Sequence, residues 1–325
     1  MSIAALGSMS KTNPYHVWLS LGCAASVMAF PIGAPAQAAA LADPWSLSLG
    51  LGGEYNTSIS VEALDTGRKT GDTAANLSAA IGYTVSKAPK ASLRLSYGLD
   101  QSLHKAAPAY DLLTQSFGVA AGTRLGKADL GLDYQAYSMR LGSKPFLDMQ
   151  VVNPSVSGFI NPHLWLRGGY GYAQKSFATA QSMNAKTLDA NTQSVTADAY
   201  YLLPRHKAYL GLGARYELED AVNPALSFQA YQLSAKAQMR AKLLGRPAKF
   251  ALSYQYRARD YDAITPAIGQ NRQERRASYT ASAELALTPT LTAKPQFRHT
   301  ARISNYRPAD YVENLVSFML VYRLR

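Results

Sequence analysis

From residue 45 onward the chain alternates apolar and polar side chains with a period of two, and no apolar run beyond residue 40 approaches the roughly 20 residues that a membrane-spanning helix requires. Any insertion into a bilayer must therefore use strands. Leu93, Leu95, Tyr97 and Leu99 share one face, and Ser92, Arg94, Ser96, Gly98 and Asp100 share the other. The same division separates Leu130, Leu132, Tyr134 and Ala136 from Asp129, Gly131, Asp133 and Gln135. It also separates Phe250, Leu252, Tyr254, Tyr256 and Ala258 from Ser253, Gln255, Arg257 and Arg259. Near the end, Val316, Phe318, Leu320, Tyr322 and Leu324 form a single row.

Extended along the chain, this pattern gives about fourteen strands of bilayer-crossing length. They begin near Trp45, Asn76, Ala91, Leu113, Ala128, Val151, His163, Thr192, Lys207, Ser227, Lys249, Ser278, Leu291 and Asn314. Tight turns are expected at residues 86–90, 126–127, 161–162, 204–207, 245–248 and 288–290. Longer polar links alternate with them, notably 62–72, 179–188 and 265–275. Short turns on one side, longer loops on the other and an even strand number are the pattern of outer-membrane barrels, with both termini in the periplasm.

A soluble sandwich or lipocalin-like barrel would also alternate, but it would fill its interior with large apolar groups and keep charge outside. Here the charged rows are dense in Gly, Ser and Gln, as a wet lumen would be. The apolar rows carry Tyr55, Tyr97, Tyr172, Tyr216 and Tyr256 where an interfacial girdle belongs. A one-residue slip would push Arg94 or Arg257 into lipid at about 2–4 kcal/mol each near the midplane, so the register is well determined. The expected fold is all-β: an antiparallel transmembrane β-barrel of the bacterial outer membrane.

The first forty residues read as an export signal. Lys11 is their only basic residue, residues 17–30 are an apolar core, and Pro35-Ala36-Gln37-Ala38-Ala39-Ala40 is a small-residue cleavage region. A cut after Ala38 leaves residues 1–38 as signal peptide and 39–325 as barrel. The competing reading, a lipoprotein cut before Cys23, has Ser20 where such sites favour Leu. Cys23 is the only cysteine, which excludes a disulfide framework or a cysteine-based metal site in the barrel.

No cofactor, metal or catalytic site is expected. His16, His104, His163, His206 and His299 are scattered without paired ligand spacing, and no Ser-His pair stands out. The Gly-rich stretches 50–53 and 168–171 lie inside strands with no following helix, so they are close-packed barrel positions and not phosphate loops.

The whole chain carries a formal charge of +12, and loss of Lys11 with the leader lowers it to +11. Lys236, Arg240, Lys242, Arg257, Arg259, Lys294, Arg298, Arg302 and Arg323 share the inward parity, so one expectation is an anion-preferring lumen. The alternative is that they pair with Glu54, Asp100, Asp129, Asp133, Asp198, Glu217 and Glu284 and hold the barrel together. Arg272, Arg275 and Arg276 are assigned to an outward loop, either as a simple solvated charge cluster or as a contact for anionic lipopolysaccharide in preference to nucleic acid. No link is long enough to suggest a loop folded inward as a constriction.

Glu54-Tyr55-Asn56-Thr57-Ser58, Tyr256-Arg257-Ala258-Arg259-Asp260-Tyr261, Ser304-Asn305-Tyr306 and Tyr311-Val312-Glu313-Asn314 resemble the C-terminal barrel of surface lipoprotein assembly modifiers. The resemblance runs from Pro44 to Arg325. It implies a fourteen-stranded barrel that works with a periplasmic tetratricopeptide region to move lipoproteins to the cell surface. Only Ala39 to Pro44 separate the expected cleavage site from the first strand, so that region would have to come from a partner; Leu324-Arg325 also departs from the usual terminal aromatic residue. Three roles follow: export or assembly of a surface lipoprotein or polysaccharide, a passive porin-like anion channel, and a structural or surface-interaction barrel with a plugged lumen. Each has outer-membrane lipid and lipopolysaccharide as its surroundings, and the first adds a periplasmic or lipoprotein partner.

Overall fold

The computed structural model describes residues 44–61, 66–88, 91–178, 185–204 and 207–324. The expected leader, with its cut after Ala38 and the alternative at Cys23, lies outside the described residues.

Fourteen antiparallel strands close into one barrel. In chain order they are β1 (Trp45–Asn56), β4 (Asp72–Ala88), β5 (Ala91–His104), β6 (Leu112–Leu125), β7 (Ala128–Leu141), β8 (Lys144–Asn161), β9 (Leu164–Phe177), β10 (Ala190–Leu202), β11 (Ala208–Ala221), β12 (Phe228–Leu243), β13 (Arg246–Thr265), β14 (Gln270–Ala286), β15 (Leu291–Ser304) and β16 (Tyr311–Leu324). Closure is made by β1 against β16, with Leu47 opposite Leu324 and Asn56 opposite Leu315. Two short strands outside the ring, β2 (Ile59–Val61) and β3 (Thr66–Arg68), pair as a hairpin between β1 and β4. Closure leaves no unpaired edge in the ring, the condition for placing sheet in a bilayer.

The strand starts agree with the sequence pattern to within a few residues except for β8, which begins at Lys144 and not near Val151, and β14, which begins at Gln270 and not near Ser278. Both are lengthened at the end opposite the chain termini. The link expected over 265–275 is therefore a four-residue turn, 266–269, between two long strands. At that same end Gly142 and Ser143 join β7 to β8 with φ of +54° and +66°, the paired left-handed residues of a tight hairpin. The end carrying Trp45 and Leu324 bears the short turns, which makes it the periplasmic end.

The outer surface is a band of large apolar side chains. Leu51, Leu212, Leu233, Leu252, Val195 and Val316 are all more than half exposed, an arrangement that water would penalise and lipid rewards. On the outer face toward the extracellular end, tyrosine hydroxyls reach an amide oxygen on the next strand: Tyr97 to Gln115 at 3.2 Å, Tyr170 to Gln193 at 3.1 Å, Tyr172 to Asn191 at 3.0 Å and Tyr216 to Gln229 at 3.1 Å. Each bond satisfies a hydroxyl while its ring stays in the apolar band, as an interfacial girdle requires. The chain is an outer-membrane β-barrel.

Candidate functional site

Every inward row can be read from the register, and the rows differ sharply around the ring. On the six consecutive strands β11–β16 the inward basic residues are Arg215, Lys236, Arg240, Lys242, Lys249, Arg257, Arg259, Arg272, Arg276, Lys294, Arg298, Arg302 and Arg323. These thirteen cations share that wall with five carboxylates, Glu217, Glu219, Glu274, Glu284 and Glu313, an excess of eight positive charges. On β1 and β4–β10 the described inward side chains comprise five basic residues (Arg94, Arg124, Lys144, Arg167 and Lys175) and six acidic ones (Glu54, Asp72, Asp100, Asp129, Asp133 and Asp198). The lumen is thus polarised across its width, and its basic residues are gathered on one wall.

Small residues make the acidic wall recede. Gly50 and Gly52 of β1, Gly98 of β5 and Gly118 and Gly122 of β6 all face inward among serines. Gly52 has a definite reason to be glycine, because a Cβ there would come within 2.2 Å of both the Phe318 carbonyl and the Met319 sulfur.

The extracellular half of the lumen is dense. Arg257 donates to Glu217 at 2.5 Å and Arg215 meets the same carboxylate at 2.8 Å. Arg259 reaches Glu274 at 3.2 Å, and Arg272 and Arg302 bind that carboxylate as well. Arg298 donates to Glu313 at 2.8 Å, and Lys175 of β9 bonds Glu219 of β11. Aromatic faces receive the guanidinium groups: Arg259 lies 4.3 Å from the Phe228 ring, and Arg272 lies between Tyr261 at 4.9 Å and Tyr306 at 5.0 Å. Part of the pairing expectation therefore holds, for Glu217 and, nearer the periplasm, for Glu284 with Lys249 at 2.9 Å and Lys294 at 3.4 Å. Asp129 instead pairs with its neighbour Arg124, and Glu54 accepts from Asn76. The two outcomes held open by the sequence coexist: carboxylates cross-link the basic wall, and five of them leave its excess in place.

Arg272, Arg275 and Arg276 are not in a loop. All three lie within β14, where Arg276 stands opposite Arg257 and Arg302 on the inward row and Arg272 is almost fully buried beside Glu274. Only Arg275 faces outward, paired with Asp260 at 3.0 Å. A run of alternating charges resembles a solvated loop in sequence but is equally what one face of a lumen-lining strand presents.

The mouth of the barrel is crossed by a segment that the link lengths did not suggest. The β2–β3 hairpin turns inward, and Ile59 and Val61, each 1% exposed, join an apolar cluster with Leu112 of β6, Met139 and Leu141 of β7, Leu147 and Val151 of β8 and Phe177 of β9. These wall residues share the inward rows at the extracellular ends of their strands. The hairpin leaves the ring between β1 and β4 and packs on strands several positions away, so it crosses the mouth, and Arg68 donates to the Ala106 carbonyl at 2.7 Å along the way. Opposite the cluster stands the Arg–Glu lattice.

Toward the periplasm the basic wall is wetter: Lys236 and Lys242 are exposed, and Arg240, Lys249 and Lys294 are partly so. Among the described residues no group of three His, Cys, Asp or Glu side chains is placed to hold a metal ion. His104 is buried 3.7 Å from Asp111, and His299 lies 2.8 Å from Asn314 on the outer face.

The fold is similar to solved outer-membrane barrels. OmpT, an outer membrane protein of Vibrio cholerae, superposes with a TM-score of 0.50 at 8% identity, over 88% of this chain and 99% of that one. OprD of Pseudomonas aeruginosa gives 0.44 at 11% identity over 86% and 95% of the two chains, and CdiB from Acinetobacter baumannii 0.48 at 13% over 87% and 60%. This chain therefore spans about 60% of CdiB's length. No family model and no curated protein matches the sequence, so the likeness to lipoprotein assembly modifiers rests on its short motifs alone.

Proposed function

We propose that this barrel is a passage for small anionic solutes across the outer membrane, narrowed at its extracellular mouth by its own hairpin. The observation that carries this reading is the excess of eight positive charges on the inward face of β11–β16. In a lumen walled by low-dielectric sheet and lipid such an excess focuses its field inward, raises the local concentration of anions and repels cations. The inward hairpin supplies the constriction that the sequence reading found lacking, and a mouth of that kind suits small solutes and not a translocating polypeptide. Export of lipoproteins, which the family resemblance implies, or of polysaccharide has no corresponding feature among the described lumen residues.

The test is the reversal potential of the purified barrel in a planar bilayer under a salt gradient. Anion preference is expected, and a variant carrying Lys236→Gln, Arg240→Gln, Lys249→Gln and Lys294→Gln should move the reversal potential toward cations without loss of insertion. A barrel that does not conduct, or one whose selectivity ignores all four substitutions, would overturn the proposal.

A further inference from the structure

The inward rows are mostly polar on the periplasmic side; Met319 and Val321 of β16 are apolar but are covered against Gly50 and Gly52 of β1, whereas a group of rings stands open on the wall across from them. Trp165 on β9, Tyr200 and Leu202 on β10 and Tyr209 on β11 all point into the lumen near the periplasmic end. Their rings touch in series, Trp165 to Tyr200 with centroids 5.4 Å apart and Tyr200 to Tyr209 at 5.6 Å. An interfacial girdle does not account for them, because girdle rings face lipid, and on these same strands that place is taken by Tyr201 and Leu210, both more than half exposed on the outer face.

The wall is shaped to hold these rings. A Cβ on Gly211 would fall 2.9 Å from the edge of the Tyr200 ring, so glycine lets that ring lie against the sheet. Tyr209 is held by a hydroxyl bond to Gln238 at 3.2 Å. The interplanar angles of 58° and 69° make the surface a faceted cleft of ring faces and edges in place of one flat stacking plane. At its border stands Lys236, whose ammonium lies 5.9 Å from the Tyr209 ring and is exposed to the lumen.

An apolar cleft bordered by an accessible cation recognises a solute with the complementary split. We infer that the Trp165–Tyr200–Tyr209 cleft with Lys236 is a binding site for small aryl carboxylates, the aromatic ring entering the cleft and the carboxylate meeting the lysine. Ring edges and faces at steep mutual angles suit the edge-to-face packing of an added arene. The carboxylate gains a charge-assisted hydrogen bond at the rim of the apolar surface, where it keeps part of its hydration. This deepens the anion-passage reading and rests on it for its biological meaning, but binding itself can be measured without conduction.

Trp165 is the natural reporter. The chain has three tryptophans, of which Trp18 lies in the expected leader, so Trp45→Phe leaves Trp165 alone in the barrel from Ala39 onward. Titration of the detergent-solubilised barrel with benzoate should change its emission saturably, whereas acetate, which has the charge without the ring, and benzyl alcohol, which has the ring without the charge, should give weak or linear responses. Lys236→Gln should weaken benzoate about tenfold, the worth of one hydrogen bond to a charged group. Gly211→Val should do so by displacing Tyr200, with heat-modifiable gel migration confirming that each variant is folded. A linear benzoate response, or saturation that both substitutions leave unchanged, overturns this site while leaving ion selectivity untouched. Saturable binding in a barrel that conducts nothing keeps the site and removes the passage.

Discussion

Glu274 is the point at which the extracellular half of the lumen can be taken apart with one atom exchanged. Its carboxylate binds Arg259, Arg272 and Arg302, and the four side chains are between 3% and 9% exposed. Glu274→Gln keeps the shape, removes the single anion shared by three buried cations, and turns one acceptor into a donor that faces a guanidinium. Breaking one buried pair typically costs about 3–5 kcal/mol. Here several cations lose their counterion together, and the aromatic faces of Phe228, Tyr261 and Tyr306 offset part of that at about 0.5–2 kcal/mol each. The expected loss is therefore about 4 kcal/mol. It can be read from urea unfolding in detergent micelles, followed by tryptophan emission, as a fall in midpoint at constant slope. Glu284→Gln is the control: its side chain is 23% exposed beside Lys249, so water screens the pair and the loss should be about 1 kcal/mol. Equal losses for the two variants, or a loss below about 1 kcal/mol for Glu274→Gln, would refute the claim that the lattice is dry and held by that carboxylate.

Three further outcomes are expected. Ile59→Asp combined with Val61→Asp removes two side chains whose burial stabilises the hairpin seat by about 1.5–3 kcal/mol each, so single-channel conductance should rise while gel migration stays that of a folded barrel. Leu212→Arg, at a position 67% exposed on the lipid face, should destabilise the barrel in lipid by about 2–4 kcal/mol, whereas Gln255→Arg on the inward row should cost little; equal costs would contradict the assigned register. Mass spectrometry of the exported protein should find Ala39 as its first residue, and an acylated Cys23 at that terminus would overturn the proposed cleavage.

The ring was legible in the sequence because lipid and lumen impose opposite demands on alternate residues. Where both demands act, as along Leu93 to Asp100 or Phe250 to Arg259, parity fixed each side chain correctly. It failed where one demand lapses. At the start of β8, Phe146 and Leu147 are adjacent and both buried, beside a register shift at Met139 and Arg140, so the alternation is lost there and the sequence pattern marks the strand only from about Val151. In β14 the residues from Arg272 to Arg276 alternate in charge but lack an apolar partner row, because near the membrane edge the outward positions are Gln273 and Arg275. The hairpin is signalled only by Ile59 and Val61, two apolar residues in a polar link, too few to mark a strand that folds into the mouth. The ring cleft escaped because Trp165, Tyr200 and Tyr209 are apolar residues on polar rows, and in one dimension such residues read as noise.

The dry and wet parts of the lumen divide along the barrel axis, and that division separates two properties that a single constriction would merge. At the extracellular end the hairpin cluster on β6–β9 faces an Arg–Glu lattice on β11–β16, and both are almost wholly buried. Charges held there are cross-linked and dehydrated, so they stiffen the mouth and have little freedom to exchange partners with a passing ion. Toward the periplasm Lys236, Arg240, Lys249 and Lys294 are at least partly exposed to the lumen, where in the proposed passage their field would act on mobile solute. For the proposed passage, width is set by the hairpin seat on β6–β9 and charge preference by the lysines of β12, β13 and β15, at opposite ends of the barrel and with no side chain in common. Substitutions in one set should add to those in the other, since sites without shared partners couple weakly.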